Sequence, residues 1–418
     1  MSGVARLASL DDIPAGLVEI LDYIRRHGPC TRGALAETIG LSRAVITQRL
    51  AALAAYGLIA EDGVGPSTGG RAPRRLRFCA DAGHLLVADL GATSIDVAVA
   101  DLAGEILAHR AESSDIAAGP DVVLTRVEAL FEEALLQAGP PGALWGIGIG
   151  VPGPVEFDTG RPISPPIMPG WDDYRVRGRF AAYGVPVWGD NDVNVMALGE
   201  LTAGIGRGRE NFVFVKIGTG IGAGIIVRGE IHRGAKGCAG DIGHIQIAAD
   251  REVICRCGNV NCLEALAGGA ALARDGEAAA REGRSSFLRA ILEENGSLDA
   301  ADVARGATHG DVASVELIAN AGHLVGQAVA AIVNFFNPSL IVIGGGVAGA
   351  GDTLLATIRQ TVYRRSLPLS TRDLGVHRST LRDRAGVVGA ATMVANELFA
   401  PAFLSRWLDA GSPAAAEG

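Results

Sequence analysis

The chain has 418 residues, 48% of them hydrophobic, which suffices for two or three domains with real cores. No uninterrupted apolar run reaches the roughly 18 residues of a membrane span, and Asp11 and Asp12 fall where a signal peptide is apolar, so a cytoplasmic protein with no membrane contact is expected. The net charge of -9 is unevenly spread: residues 1–80 carry ten arginines against seven acids and the remainder is acidic, as suits a chain whose N-terminus alone meets a polyanion.

Leu17, Ile20, Leu21 and Ile24 follow helical spacing, and Arg25-Arg26-His27-Gly28 supplies a stop. Thr31 is a candidate N-cap for a short helix through Ile39. After Gly40-Leu41-Ser42 a second helix runs from about Arg43 to Tyr56. This is the helix-turn-helix pattern. Val45, Ile46, Leu50 and Leu53 would face the core, leaving Ser42, Arg43, Thr47, Gln48 and Arg49 outward, residue types that contact bases and phosphates. From Gly63 to Arg77 the sequence has glycine turns, Arg71, Arg74, Arg75 and Arg77, and no acid. A cationic wing lying along a DNA backbone is expected, which makes residues 1–80 a winged helix-turn-helix for double-stranded DNA.

Beyond residue 80 the pattern turns to strands bounded by glycine: 85–90, 95–100 and 105–110, then 213–217 and a strand ending at Val227. The turns between them, Asp89-Leu90-Gly91-Ala92-Thr93-Ser94 and Gly218-Thr219-Gly220-Ile221-Gly222, let backbone N–H groups approach phosphate oxygens, and a threonine hydroxyl adds a donor. Tight hairpins use the same residues for purely structural ends. A third glycine cluster, Gly344-Gly345-Gly346, follows the apolar run 340–343 and precedes a helix from about Thr353. Cys255, Cys257 and Cys262 lie too close together, in a chain with only six cysteines, to suggest a disulfide scaffold, and metal binding is the better reading.

Two units of strand, Gly-Thr hairpin and strand, one in each half, are similar to the duplicated α/β fold of actin, hexokinase and the sugar kinases, a ribonuclease H-like architecture. More specifically, Gly146 to Gly153, Asn191-Asp192-Val193-Asn194, Gly240-Asp241-Ile242-Gly243-His244 and Cys255-x-Cys257-Gly258-x3-Cys262-x-Glu264 resemble the ROK family of repressors, open reading frames and kinases, and the N-terminal module resembles its repressor branch. The resemblance runs from Asp89 to about Asn396. It implies lobes at 81–190 and 191–400, the second carrying a metal loop, with 401–418 as a tail.

The resemblance also implies site roles. Asp192 takes the position of the general base that accepts a sugar hydroxyl proton in phosphoryl transfer; capping of the following helix is its structural alternative. Asn191, Asp192, Asp241, His244 and Glu264 would hold sugar hydroxyls, and Asp89, Gly91, Thr93, Gly218, Thr219 and Gly220 would face phosphates. His244, Cys255, Cys257 and Cys262 give the imidazole and three thiolates of a closed structural Zn2+ site, so His244 would serve metal and sugar with different ring nitrogens. His84, His309, His323 and His377 stand isolated and carry no site expectation.

Four positions depart from the kinase pattern. Ala92 replaces a glycine of the first phosphate loop, Asp241 stands for a glutamate, Ile167 for an asparagine, and Asn261 for a glycine of the cysteine loop. The preferred reading is a sugar-responsive regulator of carbohydrate genes, a repressor, in which a sugar or sugar phosphate alters how a homodimer or homotetramer holds its operator. The alternative is an ATP-dependent hexose or N-acetylhexosamine kinase, glucokinase-like, carrying a DNA module, in which case alone ATP and Mg2+ would be cofactors. A third possibility is a regulator whose cleft has lost small-molecule binding.

Overall fold

The computed structural model describes residues 16–64, 72–139, 142–247, 252–349 and 351–417. Helices Leu17–His27, Arg32–Ile39 and Arg43–Ala55 open the chain. Thr31 and Ser42 cap the second and third, accepting from Ala34 N at 3.2 Å and Val45 N at 3.4 Å. Gly40, at φ 74°, makes the left-handed turn between them that a side chain would resist. Strands Ile59–Val64 and Arg74–Phe78 then pair antiparallel, with Cys30–Thr31 on the other edge of Arg74–Phe78. This is a winged helix.

The remainder is one plan used twice. In the first lobe an antiparallel hairpin, Gly83–Leu90 with Ser94–Asp101, is extended on one side by Ile106–Ser113 and on the other by the parallel strands Ala143–Val151 and Val187–Asn191. In the second, Phe212–Ile217 with Ile221–Val227 is extended by Glu230–Ile231 and by the parallel strands Leu340–Gly344 and Gly375–Arg378. Both central hairpins are covered on two faces, which is why Gly83–Leu90 is buried throughout and its Leu85-Leu86-Val87-Ala88 stretch is apolar without alternation.

Helices Asp192–Ala203 and Ala385–Leu398 follow the last strand of each lobe and cross one another. Glycine permits the crossing: a Cβ on Gly199 would come 2.2 Å from the Ala385 carbonyl, and one on Gly389 would come 1.5 Å from that of Val195. Helix Val312–Phe336 is long and apolar enough to cross a membrane, yet Ile318, Val325, Val329 and Val333 are buried in the core of the second lobe.

Residues 401–418, expected as a tail, contain the helix Pro401–Ala410. Leu404, Trp407 and Leu408 recur at helical spacing and are buried in one cluster with Leu17, Ile24, Leu50 and Leu53 of the DNA module and Val394 and Leu398 of the helix before it.

Candidate functional site

The hairpin turns of the two lobes face each other across a cavity of about 1490 Å³. Asp89, Gly91, Thr93, Gly218, Thr219 and Gly220 line it, as do Asn191, Asp192, Asp241, His244 and Glu264. Both turns close on backbone bonds, Gly91 N to Ser94 O at 2.8 Å and Gly218 N to Gly220 O at 2.9 Å. The departures Ala92 and Ile167 also line the cavity, Ile167 while packing on the first-lobe core.

Asn191 and Asp192 divide the work at the strand–helix junction. Asn191 is the N-cap, accepting from Val193 N at 2.9 Å while its amide donates to Gly153 O at 2.7 Å. Asp192, 2% exposed, is therefore free of the capping duty and accepts from the Lys216 ammonium. One residue earlier, Asp190 is 1% exposed and accepts from Asn191 N, Asn194 Nδ2 and Arg233 Nε at 2.7 to 2.8 Å, which fixes the junction. Glu264 accepts from Ile221 N at 3.1 Å, and burial pushes its carboxyl above the ordinary range. A Cβ on Gly220 would stand 2.3 Å from Glu264 Oε2, so this glycine is needed for close approach.

Asp89 is the least comfortable acid. Burial pushes it up to about 8, with Lys216 opposing and Asp192 and Asp96 adding to the rise, and its Oδ1 has no hydrogen-bond partner among the described residues. Lys216 is held above its ordinary range although burial alone would lower it, because Asp192 and Asp89 favour the cation.

His244, Cys255, Cys257 and Cys262 bring one donor atom each to within 4.8 Å of the others. Cys257 Sγ lies 3.6 Å from Cys262 Sγ, and Cys255 Sγ lies 3.7 Å from His244 Nδ1. A tetrahedron with Zn–S arms of about 2.3 Å has edges of about 3.8 Å, so the spacing suits a metal and is too long for a disulfide. Burial raises the Cys255 thiol and pushes that of Cys262 up to about 12, so a cation is what would draw off their protons. The Nε2 of His244 points the other way, 3.9 Å from Asp241 Oδ1 at the cavity wall. Asn261 stands at φ 57° and bonds Val253 through its backbone N–H and through its side-chain oxygen at 2.8 Å. Asparagine tolerates this left-handed conformation, which explains how it replaces a glycine.

In the DNA module Ser42, Arg43, Thr47 and Gln48 are exposed, with Thr47 Oγ1 donating to Arg43 O at 2.9 Å. Arg49 is half-buried rather than outward. The wing is not free of acid in space: Arg74 pairs with Glu61 of the facing strand, and Arg77 pairs with Asp81 at 3.1 Å. Arg75 reaches Pro29 O at 3.4 Å, and Arg71 lies outside the described residues.

Residues 86–397 match the ROK family, and residues 18–60 match the winged helix-turn-helix DNA-binding family. The chain belongs to the ROK family. Relatives of this ROK protein divide by length. A xylose repressor of Caldicellulosiruptor bescii is 30% identical over 91% of this chain and 95% of its own. A glucokinase of Halalkalibacterium halodurans is 35% identical over 73% of this chain and 93% of its own. Among solved structures, a ROK family transcriptional regulator, homolog of the E. coli MLC protein, superposes with TM-score 0.78 at 28% identity over 96% of this chain and 98% of that one. A ROK family glucokinase from Streptomyces griseus, in complex with glucose and AMPPNP, superposes with TM-score 0.66 at 27% identity over 74% and 99%. The repressor and the regulator are therefore matched over the DNA module as well as the kinase-like lobes.

Sequence reasoning passed over Lys216 and Asp190. Lys216 is one of two lysines in the whole chain and stands in an otherwise apolar strand beside a phosphate-loop glycine, a signal that was available.

Proposed function

We propose that this protein is a sugar-responsive repressor of carbohydrate genes, whose cleft binds a sugar and whose winged helix binds an operator. The observation that carries this reading is the convergence of Asn191, Asp192, His244 and Glu264 on one cavity, in a chain that repressor-type relatives match over more than nine-tenths of its length, the DNA module included. Asn191, Asp192, Asp241, His244 and Glu264 hold the sugar hydroxyls, and Zn2+ on His244 and the three cysteines fixes the histidine wall. Ser42, Arg43, Thr47 and Gln48 meet the major groove, and Arg71 and Arg75 meet phosphates. The active form is a homo-oligomer, because two wings on a two-fold axis read a symmetric operator.

The kinase reading draws on the placement of Asp192, but two features oppose Mg-ATP chemistry. The methyl of Ala92 stands in the first phosphate loop, and the Lys216 ammonium is already bound to the carboxylate that would act as base.

The test is reciprocal. Operator affinity is measured with and without xylose or glucose, and sugar affinity with and without saturating operator. Linkage requires the same factor in both, on the order of 5- to 150-fold for an allosteric pair. Equal sugar affinity in both states, together with steady phosphorylation of the sugar by Mg-ATP, would favour the kinase.

A further inference from the structure

Lys216 is the fifth residue of strand Phe212–Ile217. Its cross-strand neighbours on the two sides are Gly222 and Gly344, so neither directly paired position carries a side chain, and the Phe214 ring and Val193 lie over those glycines. The stem runs beneath the second phosphate loop, where a Cβ on Gly218 would lie 3.4 Å from Lys216 Cε. It ends on Asp192 Oδ2, with the lysine side chain 18% and the aspartate side chain 3% exposed. The same ammonium acts electrostatically on Asp89 and Asp96. One cation thus stands among three acidic side chains that line the cleft.

In a site that transfers phosphate, such a cluster of acids beside glycine phosphate loops takes its positive charge from a nucleotide-bound divalent ion. Here the chain supplies the charge itself. We propose that Lys216 is the resident counter-ion of the cleft: it holds Asp192 in place as an acceptor for a ligand hydroxyl and keeps divalent cations off Asp192. The cleft then binds without phosphorylating. An incoming metal ion would meet like charge at close range. This inference rests on the sugar-cleft reading but concerns the cation, and the two are tested by separate ligands.

The experiment compares full-length wild type with Lys216→Met, which keeps the stem and removes the charge, and with Lys216→Arg, which keeps the charge. Mn2+ binding in the presence of AMPPNP is followed by electron paramagnetic resonance, and glucose and xylose binding by calorimetry without nucleotide. Lys216→Met should bind Mn2+ at least tenfold more tightly than wild type. That gain should vanish in Lys216→Met/Asp192→Asn and be absent in Lys216→Arg. Equal Mn2+ affinity in wild type and a folded Lys216→Met would overturn the proposal. So would tight Mn2+ binding by wild type that Asp192→Asn abolishes, a result that needs no lysine variant to fold. If wild type binds neither sugar while the Mn2+ gain appears as expected, the counter-ion stands and the sugar reading is the one that fails.

Discussion

Asp89 shows what a single residue contributes when its surroundings disfavour its charge. Its carboxyl is held at about 8 chiefly by burial, against an ordinary value near 4. Between about pH 4 and pH 8 the folded chain therefore keeps a proton that the unfolded chain has lost, and stability falls as pH rises through that window. Asp89→Asn removes this contribution. The melting temperature of the variant relative to wild type should rise from pH 5 to pH 8 and then level off, and a constant difference would show that Asp89 ionises normally. At this scale the cleft was largely legible: Asn191, Asp192, His244 and Glu264 stand in motifs, and motifs survive in sequence. Lys216 was passed over although it is a lone charge in an apolar strand, and Asp190 was not read because its ion pair with Arg233 joins residues 43 positions apart and leaves no local spacing to detect.

Elements were legible wherever a period or a cap announced them. The three N-terminal helices, the two Gly-Thr hairpins and the strand before Gly344 fall within a few residues of expectation, because burial and capping are local properties of each segment. The wing was misjudged electrostatically, since Glu61 sits on the facing strand and takes Arg74. A graded prediction follows from that pair. Replacing Arg71 and Arg75 by alanine should reduce the slope of log K against log salt by about two units, at roughly 0.9 per lost phosphate contact, while Arg74→Ala alone should change it by less than about one. Titrations of operator binding between low and moderate salt distinguish these cases, and an unchanged slope in the double variant would remove the wing from the interface. The cysteine loop makes a second prediction for an element. Purified protein should carry roughly one zinc per chain, and Cys257→Ser should lose it and lower the melting temperature, because ligand geometry in such loops is part of folding. Metal-free protein with an unchanged melting temperature would leave the cluster without a role.

At the scale of the whole molecule, the DNA module and the kinase-like body share a core. Trp407 is 2% exposed and packs edge-on against Tyr56 of the module and Trp145 of the first lobe, at 6.2 and 5.5 Å between ring centroids. Tyr56 donates to Leu408 O at 2.9 Å, and Arg25 donates to Asn396 at 3.0 Å. Helix Ala385–Leu398 connects these contacts to the cleft, since it crosses the helix that begins at Asp192 and brings Gly386 against Asp89. Nothing in the sequence announces this arrangement, because it depends on residues about 350 positions apart meeting in one cluster. If the shared core carries the response, Trp407→Ala should cost about 3 to 5 kcal/mol of stability as a large-to-small change in a packed site. Sugar affinity in the absence of DNA should be unchanged, because Trp407 does not line the cleft. The effect of sugar on operator affinity should shrink, because a loosened joint lets the module settle without reference to the body. Trp407→Phe, which keeps an aromatic ring in the cluster, should restore most of the coupling. Both variants are compared at a temperature where each is folded, by titrating operator with and without sugar, and full coupling in Trp407→Ala would mean that the signal takes another route.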